Sequence, residues 1–209
     1  MKILRRAAAV ATVGLLSLVL TAPSASASTA GTIYQLPTPY SNSYAFDPGC
    51  ANISLSVVGR VHGIDTIFNL AGSHGQAFLD LQTYAYKERW TNTKNGKWFT
   101  IQGAGIYQEV SATFVPKKDV PKGLIPPEGL VGPVYLFTSR DTGIQFWLRN
   151  SAGDTILRDR GVLVFKNLFD TLGDHAPGGR SLDFRLVHVI GAHPGMKADL
   201  CALAGKLVG

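Results

Sequence analysis

Most of the features that announce chemistry are missing from this sequence. Its two cysteines, Cys50 and Cys201, form no CxxC pair, and His188 and His193, separated by Gly191, match no zinc-site spacing, so neither a metal nor a cofactor is expected. Asp170, Asp174 and His175 cluster in a Gly-containing segment without the alternating oxygen ligands and terminal Glu of a calcium loop, which favours an Asx-type turn. Gly72-Ser73-His74-Gly75 sets a serine beside a histidine but is not a GxSxG elbow. Gly103-Ala104-Gly105 lies inside a strand pattern and opens no helix, so it reads as a bulge or bend and not as a dinucleotide fingerprint. Charged residues make up only 16% of the chain and include no run of Lys or Arg, so no nucleic-acid partner is expected. Past residue 30 no apolar run is long enough to span a membrane.

What is present begins with a targeting pattern. Lys2, Arg5 and Arg6 precede an apolar run from Ala7 to Leu20, and Ala25-Ser26-Ala27 supplies small residues for cleavage. Residues 1–27 therefore read as a signal peptide. The residues around Arg5-Arg6 lack the neighbours of a twin-arginine signal, which favours the general secretory route and an extracellular destination. Removal of residues 1–27 leaves 209 − 27 = 182 residues and 20 − 3 = 17 basic against 14 acidic side chains, a net charge near +3. That length suits a single domain with a substantial core.

In an oxidising compartment two lone cysteines pair if the fold brings them together, and a Cys50–Cys201 bridge would close most of the domain into one loop. Residues 28–49, rich in Ser, Pro, Tyr and Gly, read as an extended lead-in to a single β-rich domain over 50–209. From Ile53 onward apolar and polar residues alternate. Leu55, Val57, Gly59 and Val61 alternate with Ser54, Ser56, Val58 and Arg60, and similar segments follow at 64–70, 78–90, 98–114, 134–139, 144–150, 155–165 and 182–190. Asn95-Gly96, Asp141-Thr142-Gly143 and Ala152-Gly153-Asp154 read as hairpin turns. The proline-rich stretch 117–133 reads as a long surface loop, and 197–207 as a short C-terminal helix. The fold expected is all-β, an antiparallel meander of seven to nine strands closing into a β-barrel, with a β-sandwich as the alternative.

Candidate chemistry rests on polar residues at apolar positions. Asp159 falls among Leu157, Gly161, Leu163 and Phe165, and His188 among Leu182, Phe184, Leu186 and Ile190. An inward carboxylate and imidazole would make an acid/base pair, although a capping Asp and a core His account for the same pattern. Tyr84, Tyr86 and Trp90 share a strand face that would suit an apolar ligand or sugar rings.

The pieces Asp159-Arg160-Gly161, Asp170-Thr171-Leu172-Gly173-Asp174, Gly191-Ala192-His193-Pro194-Gly195 and Asp199-Leu200-Cys201 resemble a group of uncharacterised small secreted actinobacterial proteins. The resemblance covers the last third well and the rest loosely. It implies an exported bacterial protein and brings no activity or site. Three functions stay open at this point: a non-catalytic binding module with an apolar interior site, a hydrolase or isomerase using Asp159 and His188, and a module that binds a cell-wall component or a protein.

Overall fold

A computed structural model describes residues 30–209, so the signal-peptide reading lies outside the described residues. Seven strands form one antiparallel sheet in sequence order: β1 (Ala30–Phe46), β2 (Leu55–Leu70), β3 (Phe78–Asn92), β4 (Trp98–Val115), β5 (Val134–Arg149), β6 (Thr155–Asp170) and β7 (Arg180–Ala192). Among the described residues no ladder joins β1 to β7, so the meander is shown and a closed barrel is not. A nine-residue helix, α1 (Leu200–Val208), follows; Asp199 caps it by accepting the N–H groups of Cys201 and Ala202 at 3.0 and 3.1 Å.

The strands are longer than their apolar alternation suggests. The segment 28–49 is not a lead-in: β1 is a full strand whose Tyr40, Asn42, Tyr44 and Phe46 are half-buried while Ser41, Ser43 and Ala45 are exposed. Its period of two is carried by polar and aromatic residues, and Pro37 and Pro39 are tolerated because β1 is an edge strand. Asp141-Thr142-Gly143 is not a turn either, for β5 runs through it.

One register row explains that continuity. Tyr40, Gly63, Tyr84, Gly105, Gly143, Gly161 and Gly191 are successive cross-strand partners over all seven strands. The glycines permit close backbone approach along a bend line. A Cβ on Gly63 would sit 1.8 Å from the Thr83 carbonyl oxygen, and Gly161 has φ +141°, which side chains rarely adopt. Tyrosine rings cover the glycines: a Cβ on Gly59 would meet the Tyr44 ring at 2.5 Å, and one on Gly103 the Tyr86 ring at 2.4 Å. The sequence expectation of a bulge at Gly103–Gly105 is met, since the β4–β5 register shifts between Gln102 and Ala104.

Apolar clusters lie at both ends of the strands. At one end Leu55, Val57, Trp90, Phe99, Ile101 and Leu148 pack under Ala204 and Val208 of α1, and the Cys50–Cys201 disulfide pins the helix there. Leu70, Ala77, Leu79, Tyr135 and Phe137 form a second cluster at the opposite ends of the strands. The loop 116–133 is packed down on the sheet: Val120, Leu124, Ile125 and Leu130 pack on Val134 and Leu168, and buried Asp170 accepts the N–H groups of Val131 and Gly132 at 2.9 and 2.8 Å. No helix among the described residues is long and apolar enough to cross a membrane.

Candidate functional site: a tyrosine–carboxylate trough

Between the two apolar ends, the middle of the concave face is polar. Its residues follow from strand parity. On β3 the even positions Asp80, Gln82, Tyr84, Tyr86, Glu88 and Trp90 share a face with the odd positions of β2, among them Asp65, and with Tyr107 and Glu109 of β4. Asp141 of β5 lies opposite Tyr107, and Asp159 of β6 opposite Phe146. Six carboxylates thus converge on one face. The lysines and arginines of β2 to β6 stand at the opposite parity and project from the convex face.

Direct hydrogen bonds order the trough. The Tyr84 hydroxyl donates to Asp141 Oδ1 at 2.8 Å, Tyr86 to the Gln145 carbonyl at 2.8 Å, and Tyr44 to Glu88 Oε1 at 3.0 Å. Glu88 Oε2 also accepts the Trp90 indole N–H at 2.8 Å. Glu109 Oε2 accepts the backbone N–H of Asp80 at 3.0 Å, and Tyr107 hydrogen-bonds Glu109 and Ser139. Four buried polar atoms here have no protein partner: Asp65 Oδ1, Asp80 Oδ1, Gln145 Oε1 and His193 Nδ1.

Burial, joined at Asp80 and Glu109 by neighbouring like charges, sets the protonation states. Burial first, then its hydrogen bond with Asp65 and the charges of Asp65 and Glu109, hold the Asp80 carboxyl well above the ordinary range. Burial pushes Glu109 up to about 7, against the pull of the Asp80 N–H and the Tyr107 hydroxyl. Burial also raises Asp141, opposed by Tyr84, Gln145 and the nearby His193. Tyr40 is pushed up to about 12 by burial and by Asp65 and Asp80. Tyr44, Tyr84, Tyr86 and Tyr107 are raised too, all chiefly by burial, and remain hydroxyl donors.

The pair singled out from the sequence is not brought together. Asp159 is buried at 2% exposure and caps the segment after β7 by accepting the Gly195 N–H at 2.6 Å. Burial raises its carboxyl, against the Gly195 N–H, His193 and the Met196 N–H. His188 is exposed on the other face. The reason is a bulge: Val164 pairs with His188 but Phe165 with Leu186, so Val187 is an extra residue and every side chain beyond it changes face. The imidazole that reaches the trough is His193, buried at 9% exposure, with Nε2 3.2 Å from the Ile190 carbonyl. Of the three aromatics, Tyr84 and Tyr86 lie in the trough, whereas Trp90 is core at 1% exposure.

The remaining candidates resolve as turns. Ser73 accepts the Ala77 N–H and donates to the Leu70 carbonyl, and Asp174 accepts the Ala176 N–H. Among the described residues no group of three or more His, Cys, Asp or Glu has metal-site geometry. Comparison with family models, curated proteins and solved structures returned no match.

Several trough residues escaped the sequence reading: Asp65, Asp80, Tyr107, Glu109, Asp141, Gln145 and His193. The signal was present in β3, where Asp80, Gln82, Tyr84, Tyr86, Glu88 and Trp90 alternate strictly. Alternation between apolar and polar residues does not reveal it, because here the inward set is itself polar.

Proposed function

We propose that this protein is a secreted, non-catalytic binding module whose concave trough holds a small organic cation. The observation that carries the reading is the separation of charge across the sheet: Asp65, Asp80, Glu88, Glu109, Asp141 and Asp159 on one face, without a lysine or arginine among them. Of these, Asp65, Asp80 and Glu109 repel one another, and burial together with that repulsion raises Asp80 and Glu109. A bound ammonium or guanidinium group relieves it, and tyrosine ring faces add cation–π attraction. The ligand chemistry is thus cationic at one end, in place of the wholly apolar ligand expected from the sequence. A curved sheet approaching a barrel, export by the N-terminal signal and the Cys50–Cys201 staple belong to the same proposal.

Thermal shift with tyramine and choline as probes, and with a neutral apolar probe such as 1-hexanol, tests it. A rise in Tm with either amine, lost in Asp141→Asn, supports the reading, because a ligand that binds only the native state stabilises it. A rise with hexanol alone rejects it.

A second reading is favoured by one observation. Glu109, held near 7 beside the protonated Asp80, has the proton affinity of a general acid/base at neutral pH. A hydrolase or isomerase built on these two carboxyls, in place of Asp159 and His188, would lose turnover in Glu109→Gln while keeping its fold.

A further inference from the structure

The convex face carries a charged patch that the trough does not use. At the α1 end of the sheet, Arg60, Lys87, Gln102, Trp147 and Arg158 form one register row over β2 to β6, and Val58, Arg89, Thr100 and Arg149 form the next. Arg160 follows along β6. Among the described residues none of these six cations makes an ion pair with a carboxylate. Arg60 and Lys87 are direct cross-strand partners, an arrangement in which like charges weaken the sheet. The nearest acidic side chain on the flanking turn, Asp154, is bonded to Asn150.

Three of the cations are held in place by tryptophans. The Arg89 guanidinium lies 4.5 Å from the Trp98 ring centroid, and those of Arg149 and Arg158 lie 4.6 and 4.8 Å from that of Trp147. The Trp147 indole N–H donates to Thr155 Oγ1 at 2.9 Å, which fixes the ring. Stacking pre-orients the guanidinium groups; that of Arg149 also donates its Nε–H to the Gly153 carbonyl at 2.9 Å, which leaves its terminal N–H groups and the edges of Arg89 and Arg158 for an oxyanion. Neutralising them would remove the Arg60–Lys87 repulsion as well.

We propose that this face binds a linear phosphodiester polymer through its backbone charge alone. Four strand-to-strand steps separate Arg60 from Arg158, roughly 19 Å, which is long enough for several successive phosphates. The guanidinium groups packed on Trp98 and Trp147 take up ring face on which nucleic-acid bases would otherwise stack, so the polymer is one without bases, its phosphates joined by a polyol. The sequence concealed this patch because its cations come from alternate positions on four strands and never form a run.

The test is fluorescence anisotropy of the full chain with labelled poly(glycerol phosphate) as probe. Binding at 50 mM salt is expected, with a roughly 50-fold loss at 200 mM if about four phosphates are neutralised. The double substitution Lys87→Gln/Arg158→Gln is expected to cut affinity at least tenfold with circular dichroism unchanged and Tm no lower than the parent's. The control Arg140→Gln/Lys166→Gln, on the same face at the far end, is expected to bind as the parent does. No binding at 50 mM salt, an equal loss in the control, tenfold tighter binding to oligo(dT) of equal phosphate number, or capture by anionic vesicles but not by the polymer would each overturn the proposal.

Discussion

The two faces of the sheet obey opposite rules. On the concave face, positions one strand apart are coupled: Tyr44 lies over Gly59 and bonds Glu88, and Tyr84 packs against Gly105 and bonds Asp141. On the convex face, Ile64, Ile106 and Ile190 stand in one register row and are 42%, 45% and 56% exposed. A concave substitution must therefore disturb several partners, and a convex one few. Charge follows the same division, with carboxylates crowded inward where burial raises them and guanidinium groups outward where tryptophans order them.

The strongest way to break this comparison is to place a side chain on the bend line. Gly63→Val directs a Cβ to 1.8 Å from the Thr83 carbonyl oxygen, and should abolish folding or cost more than about 4 kcal/mol in urea denaturation. Ile106→Thr, on the neighbouring convex row, should change stability by no more than about 0.5 kcal/mol. If the two variants unfold alike, the curvature does not depend on the glycine row.

Next in size is the staple that holds α1 over one end of the concave face. Cys50 and Cys201 are 151 residues apart in sequence, and the paired change Cys50→Ala/Cys201→Ala should cost about 4 to 5 kcal/mol in the chain-entropy account. Asp199 and the apolar face of α1 should keep the helix formed in the variant, so far-ultraviolet circular dichroism at low temperature should change little.

A smaller effect separates the faces by pH. Glu109 titrates at about 7 in the folded protein against an ordinary 4.5, so the native state holds the extra proton between those values. Stability is therefore fully present below the lower value and falls as pH rises through the upper one, and Asp80, also raised, prolongs the fall. Asp170 acts in the opposite sense. Burial alone would raise it, but the N–H groups of Val131, Gly132 and Leu172, with Arg180, hold it below 3.8, so its contribution is lost only in acid. Tm should drop by about 5 °C between pH 5 and 8, and Asp80→Asn/Glu109→Gln should flatten that slope. The convex variant Lys87→Gln/Arg158→Gln should leave it unaltered.

The sequence made much of the sheet legible and little of the trough. Apolar alternation located β2, β3, β4 and β6, and the Asn95-Gly96 and Ala152-Gly153-Asp154 turns stand where Gly96 and Gly153 take positive φ. Gly143 misled for a physical reason: its φ of +137° serves a bend inside a strand, and a local reading cannot tell that from a hairpin. β1 went unrecognised because its inward residues are tyrosine and asparagine. A period of two carried past Val187 places His188 in the interior, but the bulge there adds one residue. In each case the missing information was non-local, namely what stands on the next strand.

Carboxyl carbon NMR of the native protein, followed from pH 3 to 10, tests the central claim most directly. The account predicts that Glu109 titrates near 7 and Asp80 above it, with both returning toward ordinary values when an organic cation saturates the trough. Titration of all six concave carboxyls below pH 5 in the free protein would contradict it.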